Sequence, residues 1–236
     1  METGKTTKYL KYAIGEIILV VIGILIALSI NNWNENRLDN KKSIDYQQRL
    51  LEDLDRVKLR STDVLSKSEK VLTSIVDAIE LLENGELIST KEKETFNYAL
   101  LWYSRFNYQM PDLSTLEEMR SSGHLGLIYN KEIRMDIINF GSYLEYVESI
   151  FESTGQTIRN NRFIDKDVRY YTNPKSLEVK LSYDFNTLSK DKEFINSFSR
   201  ITGHWRANVF FMKQIIKRTN LLKTKISEEL KRLQND

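Results

Sequence analysis

The chain has 236 residues, is 41% hydrophobic and carries a formal net charge of only +2. It contains no cysteine, which excludes disulfide bonds and thiolate metal sites. The near-neutral charge excludes a general attraction to nucleic acid, so any site for a polyanion has to be a local cluster of Arg and Lys.

The first element is an apolar stretch at residues 13–30, in which Glu16 is the only charged residue. As a helix it would cover roughly 27 Å, close to the ~30 Å hydrocarbon layer of a bilayer. Tyr12 and Trp33 stand at its edges, where aromatic side chains prefer the headgroup layer and therefore anchor the helix. A cleaved signal peptide is the alternative, but such segments are shorter and end in a small-residue cleavage site. Residues 1–36 therefore predict an N-terminal segment with one retained transmembrane helix.

One face of this predicted helix differs from the others. At about 100° per residue, a stripe that holds the only charge, a glycine, an alanine and two asparagines falls within about 60° of one direction; it contains Glu16, Val20, Gly23, Ala27, Ile30, Asn31 and Asn34. Small residues four apart allow helices to approach closely in lipid, and a carboxylate inside the span usually faces other helices or water. The stripe predicts a homo-oligomer with the Glu16 carboxylates around its axis. In the alternative, Glu16 reaches back to the headgroups and favours the helix N-terminus.

The next segment, residues 37–84, predicts a long stalk helix that continues the span. No glycine or proline occurs between Gly23 and Gly85, and apolar residues recur mostly at intervals of three, four or seven. Three residues that favour helix caps cluster at 61–63, so a continuous helix and an interrupted one both remain open. The lysines and arginines on the two sides of the span nearly balance, so charge does not decide the orientation.

Residues 85–236 predict a soluble helical bundle. Capping-box spacings begin at Ser89 and Ser114, and Asn130 is placed to cap a third helix. The pattern predicts helices over about 89–107, 114–122, 130–171 and 190–233, with 171–191 irregular. The fold class is therefore all-α, with one transmembrane helix, a stalk helix and a bundle.

The sequence offers little for catalysis. His124 and His204 are eighty residues apart, and neither has a carboxylate at metal-ligand spacing. No phosphate loop, nucleophile elbow or zinc signature is present. We therefore expect neither an enzyme nor a bound cofactor or metal.

Arginines next to aromatic residues form the one recurrent chemical pattern, in four segments of the soluble part. Guanidinium groups bind phosphates and aromatic rings stack on bases, so the pattern predicts a polyanionic ligand such as single-stranded DNA or a nucleotide. The alternative is that the bundle buries the aromatic rings beside arginines that reach the surface. The candidate ligand residues are Trp102, Arg105, Tyr108, Arg159, Arg162, Arg169, Tyr170, Arg200, Trp205 and Arg206.

The segment "KYAIGEIILVVIGILIALSINNWNENR", from Lys11 to Arg37, resembles the N-terminal signature of a Bacteroidota family of single-span membrane proteins of unknown function. The segment "STLEEMRSSGHLGLI", beginning at Ser114, is similar to a second segment of that family. The first of these two segments is the specific one, and it identifies a family more surely than a function.

The architecture also resembles the membrane effectors of the Hailong anti-phage defence system. That resemblance implies a homotetrameric channel in the bacterial inner membrane with a cytoplasmic sensory domain. It also implies a nucleotidyltransferase-like partner enzyme, whose DNA oligomers hold the effector inactive until phage nucleases remove them. The other function that the sequence leaves open is a non-conducting, membrane-anchored scaffold or sensor that binds a protein partner.

Overall fold

The computed structural model describes residues 3–106, 109, 111–160, 163–176 and 178–235, with side chains described from Gly15 to Gln234. The described residues form six α-helices, two 3-10 helices and one β-hairpin. The α-helices are α1 Thr3–Asn84, α2 Thr90–Trp102, α3 Ser114–Ser121, α4 Lys131–Asn160, α5 Phe185–Leu188 and α6 Lys192–Asn235. The 3-10 helices are His124–Leu127 and Phe163–Lys166, and the strands are β1 Arg169–Thr172 and β2 Val179–Ser182.

Helix α1 is uninterrupted over 82 residues, so the stalk has no break at residues 61–63. Its N-terminal part contains a window that is long and apolar enough to cross a membrane by length and composition, and none of that window is buried inside the protein. Past residue 42, side chains with a seven-residue repeat become buried. One series is Leu50, Val57, Val64, Val71 and Ala78, and the other is Leu54, Ser61, Ser68, Ile75 and Leu82.

Helix α6 packs antiparallel along this seam and forms the most extensive helix–helix interface among the described residues. Ser68 Oγ donates a hydrogen bond to Asn208 Oδ1 at 2.9 Å. Ion pairs join Lys213 to Glu69 and Lys223 to Asp55, so residue numbers rise along one helix as they fall along the other. The C-terminus of α6 consequently lies near the start of the buried seam, at the end of the bundle nearest the apolar segment.

The bundle has four arms, which are α1, the segment from α2 to the first 3-10 helix, α4 and α6. In this order they run up, down, up and down. Helix α4 runs antiparallel to α6, because Lys225 near the end of α6 pairs with Glu132 and Asp136 at the start of α4. The segment from α2 to the first 3-10 helix runs down α1. Tyr98 contacts Lys70 near its upper end, and Ser43 Oγ donates to the carbonyl of Leu127 at its lower end.

Several sequence predictions for helix ends are confirmed. Ser89 and Glu92 form the predicted capping box of α2, and Asn130 Oδ1 accepts from the backbone N–H groups of Glu132 and Ile133. Gly85 ends α1 with φ +78°, a left-handed conformation that glycine adopts without strain. The last helix occupies nearly its predicted range.

Two predicted helix ends and one segment predicted to be irregular are wrong. Helix α2 ends at Trp102 and not near residue 107, and α4 ends at Asn160 and not near Tyr171. The segment predicted to be irregular contains strand β2, which pairs antiparallel with β1, with Arg169 opposite Ser182. The helical pattern extends over strand β1, but Tyr170 and Tyr171 are aromatic residues that favour strands. The protein is still all-α apart from this hairpin.

The cap of α3 comes from another helix. Ser114 is not an N-cap, since the residue at the cap position, Leu113, makes no side-chain cap. The buried Asp53 carboxylate of α1 accepts the Thr115 N–H at 2.8 Å and the Ser114 hydroxyl at 3.3 Å, and it pairs with Arg56. A side chain 62 residues earlier therefore satisfies the first turn of α3.

A polar cluster fastens α3 and the first 3-10 helix to α1. Arg49 is hydrogen-bonded to Glu118, and this bond lowers the pKa of the Glu118 carboxyl. The Tyr46 hydroxyl lies 3.2 Å from Glu118 Oε1 and 2.8 Å from His124 Nδ1. His124 is thus part of the contact between α1 and its neighbours.

We predict that Asp53→Ala lowers the free energy of unfolding by about 1–3 kcal/mol, because a buried N–H of α3 loses its acceptor. Denaturant unfolding followed by circular dichroism in detergent measures the change. Asp63→Ala is the matched control, since Asp63 forms half-exposed ion pairs with Arg60 and Lys67 that are worth less than about 1 kcal/mol. Equal effects of the two substitutions would contradict the interhelical cap.

Candidate functional site

A cleft of about 290 Å³ lies where the chain connections of the upper bundle meet. One wall is the end of α2 and the turn after it, the second is the C-terminal end of α4, and the third is the β-hairpin. The lining residues are Leu101, Tyr103, Ser104, Arg105, Ile158, Arg159, Asp165, Tyr170, Thr172 and Val179. Because α4 begins at the lower end of the bundle, this cleft lies roughly 40 Å up the bundle at ~1.5 Å per residue.

Two exposed arginines, Arg105 and Arg159, approach the cleft from different elements. The Arg105 guanidinium lies over the Trp102 ring, 4.6 Å from its centroid. The Arg159 Nη1 donates to the carbonyl of Phe106 at 3.5 Å. Each contact restrains the side chain but leaves other N–H donors of the guanidinium group available, as phosphate binding requires.

Tyr170 supplies a phenol on the hairpin side of the cleft. Its hydroxyl donates to the Leu100 carbonyl at 3.2 Å, which ties β1 to α2. Burial, assisted by the nearby Asp165 carboxylate and opposed by Arg105, raises the pKa of Tyr170 to about 12. The phenol therefore keeps its proton at neutral pH. Asp165 also brings a negative charge to the cleft, so the lining carries two positive charges and one negative charge.

A ladder of stacked groups leads from the cleft to the stalk helix. Tyr98 stacks on Trp102 with centroids 5.7 Å apart and an angle of 23° between the rings. The Lys70 ammonium of α1 lies 4.5 Å from the centroid of the Tyr98 ring. The order Lys70, Tyr98, Trp102, Arg105 places a cationic group at each end of a pair of aromatic faces, a favourable arrangement for cation–π contacts. The ladder connects one wall of the cleft directly to α1.

The structure brings together three of the predicted ligand residues in the cleft, Arg105, Arg159 and Tyr170, with Trp102 next to them. The exposed Arg200 and Arg206 lie on α6, and Arg169 lies on β1; none of the three lines the cleft. Tyr108 and Arg162 lie outside the described residues.

Trp205 has a structural position in the core. It is fully buried, its indole N–H donates to the Tyr103 carbonyl at 3.0 Å, and its ring packs edge-on against Phe106 at 5.2 Å. No face of the indole is open to a base in this conformation. Trp205 instead supports the turn that carries Arg105.

Sequence reasoning missed Lys70, Tyr98 and Asp165. Tyr98 was detectable, because it precedes Trp102 by four residues and so shares its helix face. Lys70 and Asp165 are distant in sequence and join the site only through the tertiary fold, so no local pattern marks them.

The stripe on the span is fully accessible in a single chain. The side chains of Val20, Ala27, Asn31 and Asn34 are exposed, as is that of Glu16, and a Cβ placed on Gly23 would meet nothing within 4 Å. Two of the amides make bonds within the helix: Asn31 donates to Glu35 at 2.8 Å, and Asn34 accepts from Arg37 at 3.3 Å.

The aromatic anchors differ in how far the structure describes them. Trp33 is 67% exposed and lies beside Arg37, as an interfacial residue can. The side chain of Tyr12 lies outside the described residues. Among the residues that the structure describes, no group of His, Asp and Glu could hold a metal ion.

Together, these features define a helical-bundle protein with one candidate membrane-spanning helix and a cleft with two arginines and adjoining aromatic rings. The chain belongs to DUF6090, a family of unknown function whose sequence profile matches residues 16–201. The match runs from the apolar segment through the cleft and into the first part of α6. No curated protein and no solved structure matches the chain.

We predict that Gly155→Ala distorts the cleft and lowers stability by about 1–3 kcal/mol. A Cβ at this position of α4 would lie 2.6 Å from the Phe106 carbonyl oxygen and 2.9 Å from Arg159 Nη1. Gly203→Ala in α6 is the control: its Cβ would meet nothing within 4 Å, and the better helix propensity should stabilise by up to ~1 kcal/mol. Thermal unfolding of both variants checks the opposite signs.

Proposed function

We propose that this protein is a homo-oligomeric membrane effector, a channel or pore, that is gated by a polyanionic, oligonucleotide-like ligand bound in the upper cleft. In this proposal, binding of the ligand holds the span closed and its removal opens a path that disrupts membrane integrity. The soluble domain faces the cytoplasm of a bacterial cell, and the span crosses the inner membrane.

The observation that carries the proposal is the convergence of Arg105 and Arg159 on one cleft beside the exposed Trp102 ring. Two guanidinium forks suit phosphate oxygens, and the Arg105 guanidinium that lies over the Trp102 ring can itself stack on an unpaired base. The protonated Tyr170 hydroxyl adds a neutral hydrogen-bonding group.

The stripe on the span supports assembly. One helix cannot enclose a pore, so conduction requires several copies of the chain. A carboxylate at position 16 is costly among acyl chains and is satisfied when it faces an aqueous axis. Gly23 and Ala27 on the same face permit close approach of neighbouring helices. Four copies, as the resemblance to Hailong effectors suggests, would place four carboxylates at one mouth of the pore.

Coupling between cleft and span has a physical route through α1. The Lys70–Tyr98 contact joins the stalk to the stacked ladder, and α1 continues without interruption from Lys70 to the apolar segment. A ligand shifts such an equilibrium only by the difference between its affinities for the closed and open states. The proposal therefore requires the ladder to differ between those two states.

The proposed setting is anti-phage defence, where loss of the ligand would cause abortive infection. A nucleotidyltransferase-like partner enzyme would then act only through its oligonucleotide product. This setting is supported by the resemblance in architecture, and the basic cleft is compatible with such a ligand.

A second candidate function is a non-conducting scaffold or sensor that binds a protein partner. The exposed rings of Tyr146 on α4 and Phe210 on α6, each 57% exposed, favour it. Exposed aromatic residues are enriched at protein interfaces. This candidate predicts that expression of the chain alone leaves the membrane potential unchanged.

We predict that Arg105→Ala and Arg159→Ala each weaken binding of a fluorescent single-stranded DNA oligomer by about 10- to 100-fold, because each removes a charge-assisted hydrogen bond worth roughly 1.5–3 kcal/mol. The slope of log affinity against log salt should become shallower by about 0.7 for each phosphate that the protein no longer neutralises. Fluorescence anisotropy at several salt concentrations measures both quantities. Arg200→Ala is the control and should bind normally; if it reduces affinity as much as the cleft variants do, the ligand lies elsewhere.

We predict that Glu16→Gln changes the ion leak of the protein in liposomes, because it removes the carboxylates at the pore mouth, and that Gly23→Leu prevents assembly by blocking close helix approach. A potential-sensitive dye reports the leak, and light scattering after gel filtration reports the number of copies. Leu25→Ile is the control, since Leu25 lies about 180° from Glu16, on the opposite side of the helix. Normal assembly and leak in both stripe variants would exclude the proposed pore.

A further inference from the structure

The faces of the span and of the stalk are aligned because α1 is a single helix. At ~3.6 residues per turn, eighteen residues make about five turns, so residues eighteen apart lie on the same side. Each position of the span stripe therefore has counterparts farther along the helix. Glu16, Val20, Gly23 and Ala27 are followed by Asn34, Leu38, Lys41 and Asp45, and then by Glu52, Arg56, Leu59 and Asp63.

The bundle packs on the opposite side of the lower stalk. Leu50 and Leu54, each 1% exposed, follow Asn34 by 16 and 20 residues, which places them about 160° and 200° from it. On one flank Arg49 reaches Glu118 of α3, and on the other Asp55 pairs with Lys223 of α6. The sector in line with the span stripe lies between these flanks and is uncovered in the single chain.

Exposed residues on this uncovered sector form a surface that we name the front ridge: Leu38, Lys41, Asp45, Glu52 and Leu59. Its two leucines are 45% and 75% exposed, although the other face of the same helix buries its leucines almost completely. The ridge is polar between these two leucines, which offer apolar contacts at its two ends.

We propose that the front ridge binds the front ridge of a second copy of this chain, so that the copy-to-copy interface extends from the span down the stalk. This inference rests on the proposed oligomer. All copies cross the membrane in the same direction and at the same depth, so equal residues meet at equal height. The bundles lie on the outside and do not obstruct the approach.

The chemistry of the ridge suits such parallel neighbours. Leu38 and Leu59 bury against their own counterparts at the two ends of the ridge. Between them, Lys41 of one copy lies one turn from Asp45 of the next, a pairing of the kind that sets partner choice in coiled coils. This attraction opposes the repulsion between equal charges that meet at positions 41, 45 and 52. If the chain were instead a scaffold, the surface that binds its protein partner would not need to match the same surface of a second copy.

Cysteine crosslinking tests the proposal, because the natural chain has no cysteine and each introduced thiol is unique. Leu59→Cys and Glu52→Cys are introduced separately on the ridge. Leu221→Cys is the matched control, since Leu221 is also an exposed leucine, at 59%, but lies on α6 outside the ridge. Ala27→Cys reports the span. Each full-length variant is treated in membranes with a short bismaleimide that joins thiols of close copies.

We expect most of the Leu59→Cys and Glu52→Cys chains to run as covalent dimers, as Ala27→Cys does, and Leu221→Cys to remain monomeric. Crosslinking at Ala27→Cys without crosslinking at either ridge position would overturn the ridge but leave the assembled span intact. No crosslinking at any position would contradict the proposed oligomer itself. Equal crosslinking of Leu221→Cys and the ridge variants would indicate random collision and also overturn the proposal.

Discussion

The structure depends on the seam between α1 and α6. Over about forty residues of α1, every third or fourth side chain is withdrawn from solvent, and α6 covers these side chains in the antiparallel direction. Within a protein, an amphipathic helix gains most of its stability from such packing and not from the helix propensity of its residues. The seam therefore makes the stalk a rigid continuation of the apolar segment.

The middle of the seam is not uniformly apolar. Ser61, Ser68 and Asn208 are buried there; the Ser68 hydroxyl lies 2.7 Å from the Val64 carbonyl oxygen and 2.9 Å from the Asn208 side-chain amide, and Ser61 Oγ has no hydrogen-bond partner among the described residues. Buried polar groups without partners weaken packing, and a single buried Asn can fix the register of two helices. In this seam a buried Asn fixes the register of the two helices, and the polar groups weaken the packing at the centre. Such a seam is suited to a helix that shifts position when the protein changes state. This property fits the gating that we propose for α1.

The sequence predicts the features that local physics decides. The seven-residue repeat of α1, the capping box at Ser89 and the Asn130 cap all depend on residues close together in the chain, and the structure has each of them. The Asp53 cap of α3 joins residues 62 apart, and the burial of Trp205 depends on Tyr103 and Phe106 from another arm. Those contacts exist only once the bundle has formed. For the same reason the sequence predicts Arg and aromatic residues in four clusters but cannot select the ones that converge on the cleft.

The cleft is lined by segments that connect the helices, and their positions determine which parts of the bundle a ligand would hold together. Arg105 lies on the turn after α2, Arg159 on the last turn of α4, and Tyr170 on the hairpin that leads to α6. A ligand that binds all three would hold three arms of the bundle in one arrangement without contacting the fourth, α1. In the gating that we propose, the effect reaches α1 through the contact between Tyr98 and Lys70, and from there it passes along the seam. The position of the front ridge then matters, because a stalk that contacts its neighbours can pass a change of α6 packing to the whole assembly, whereas an isolated stalk could only move its own span.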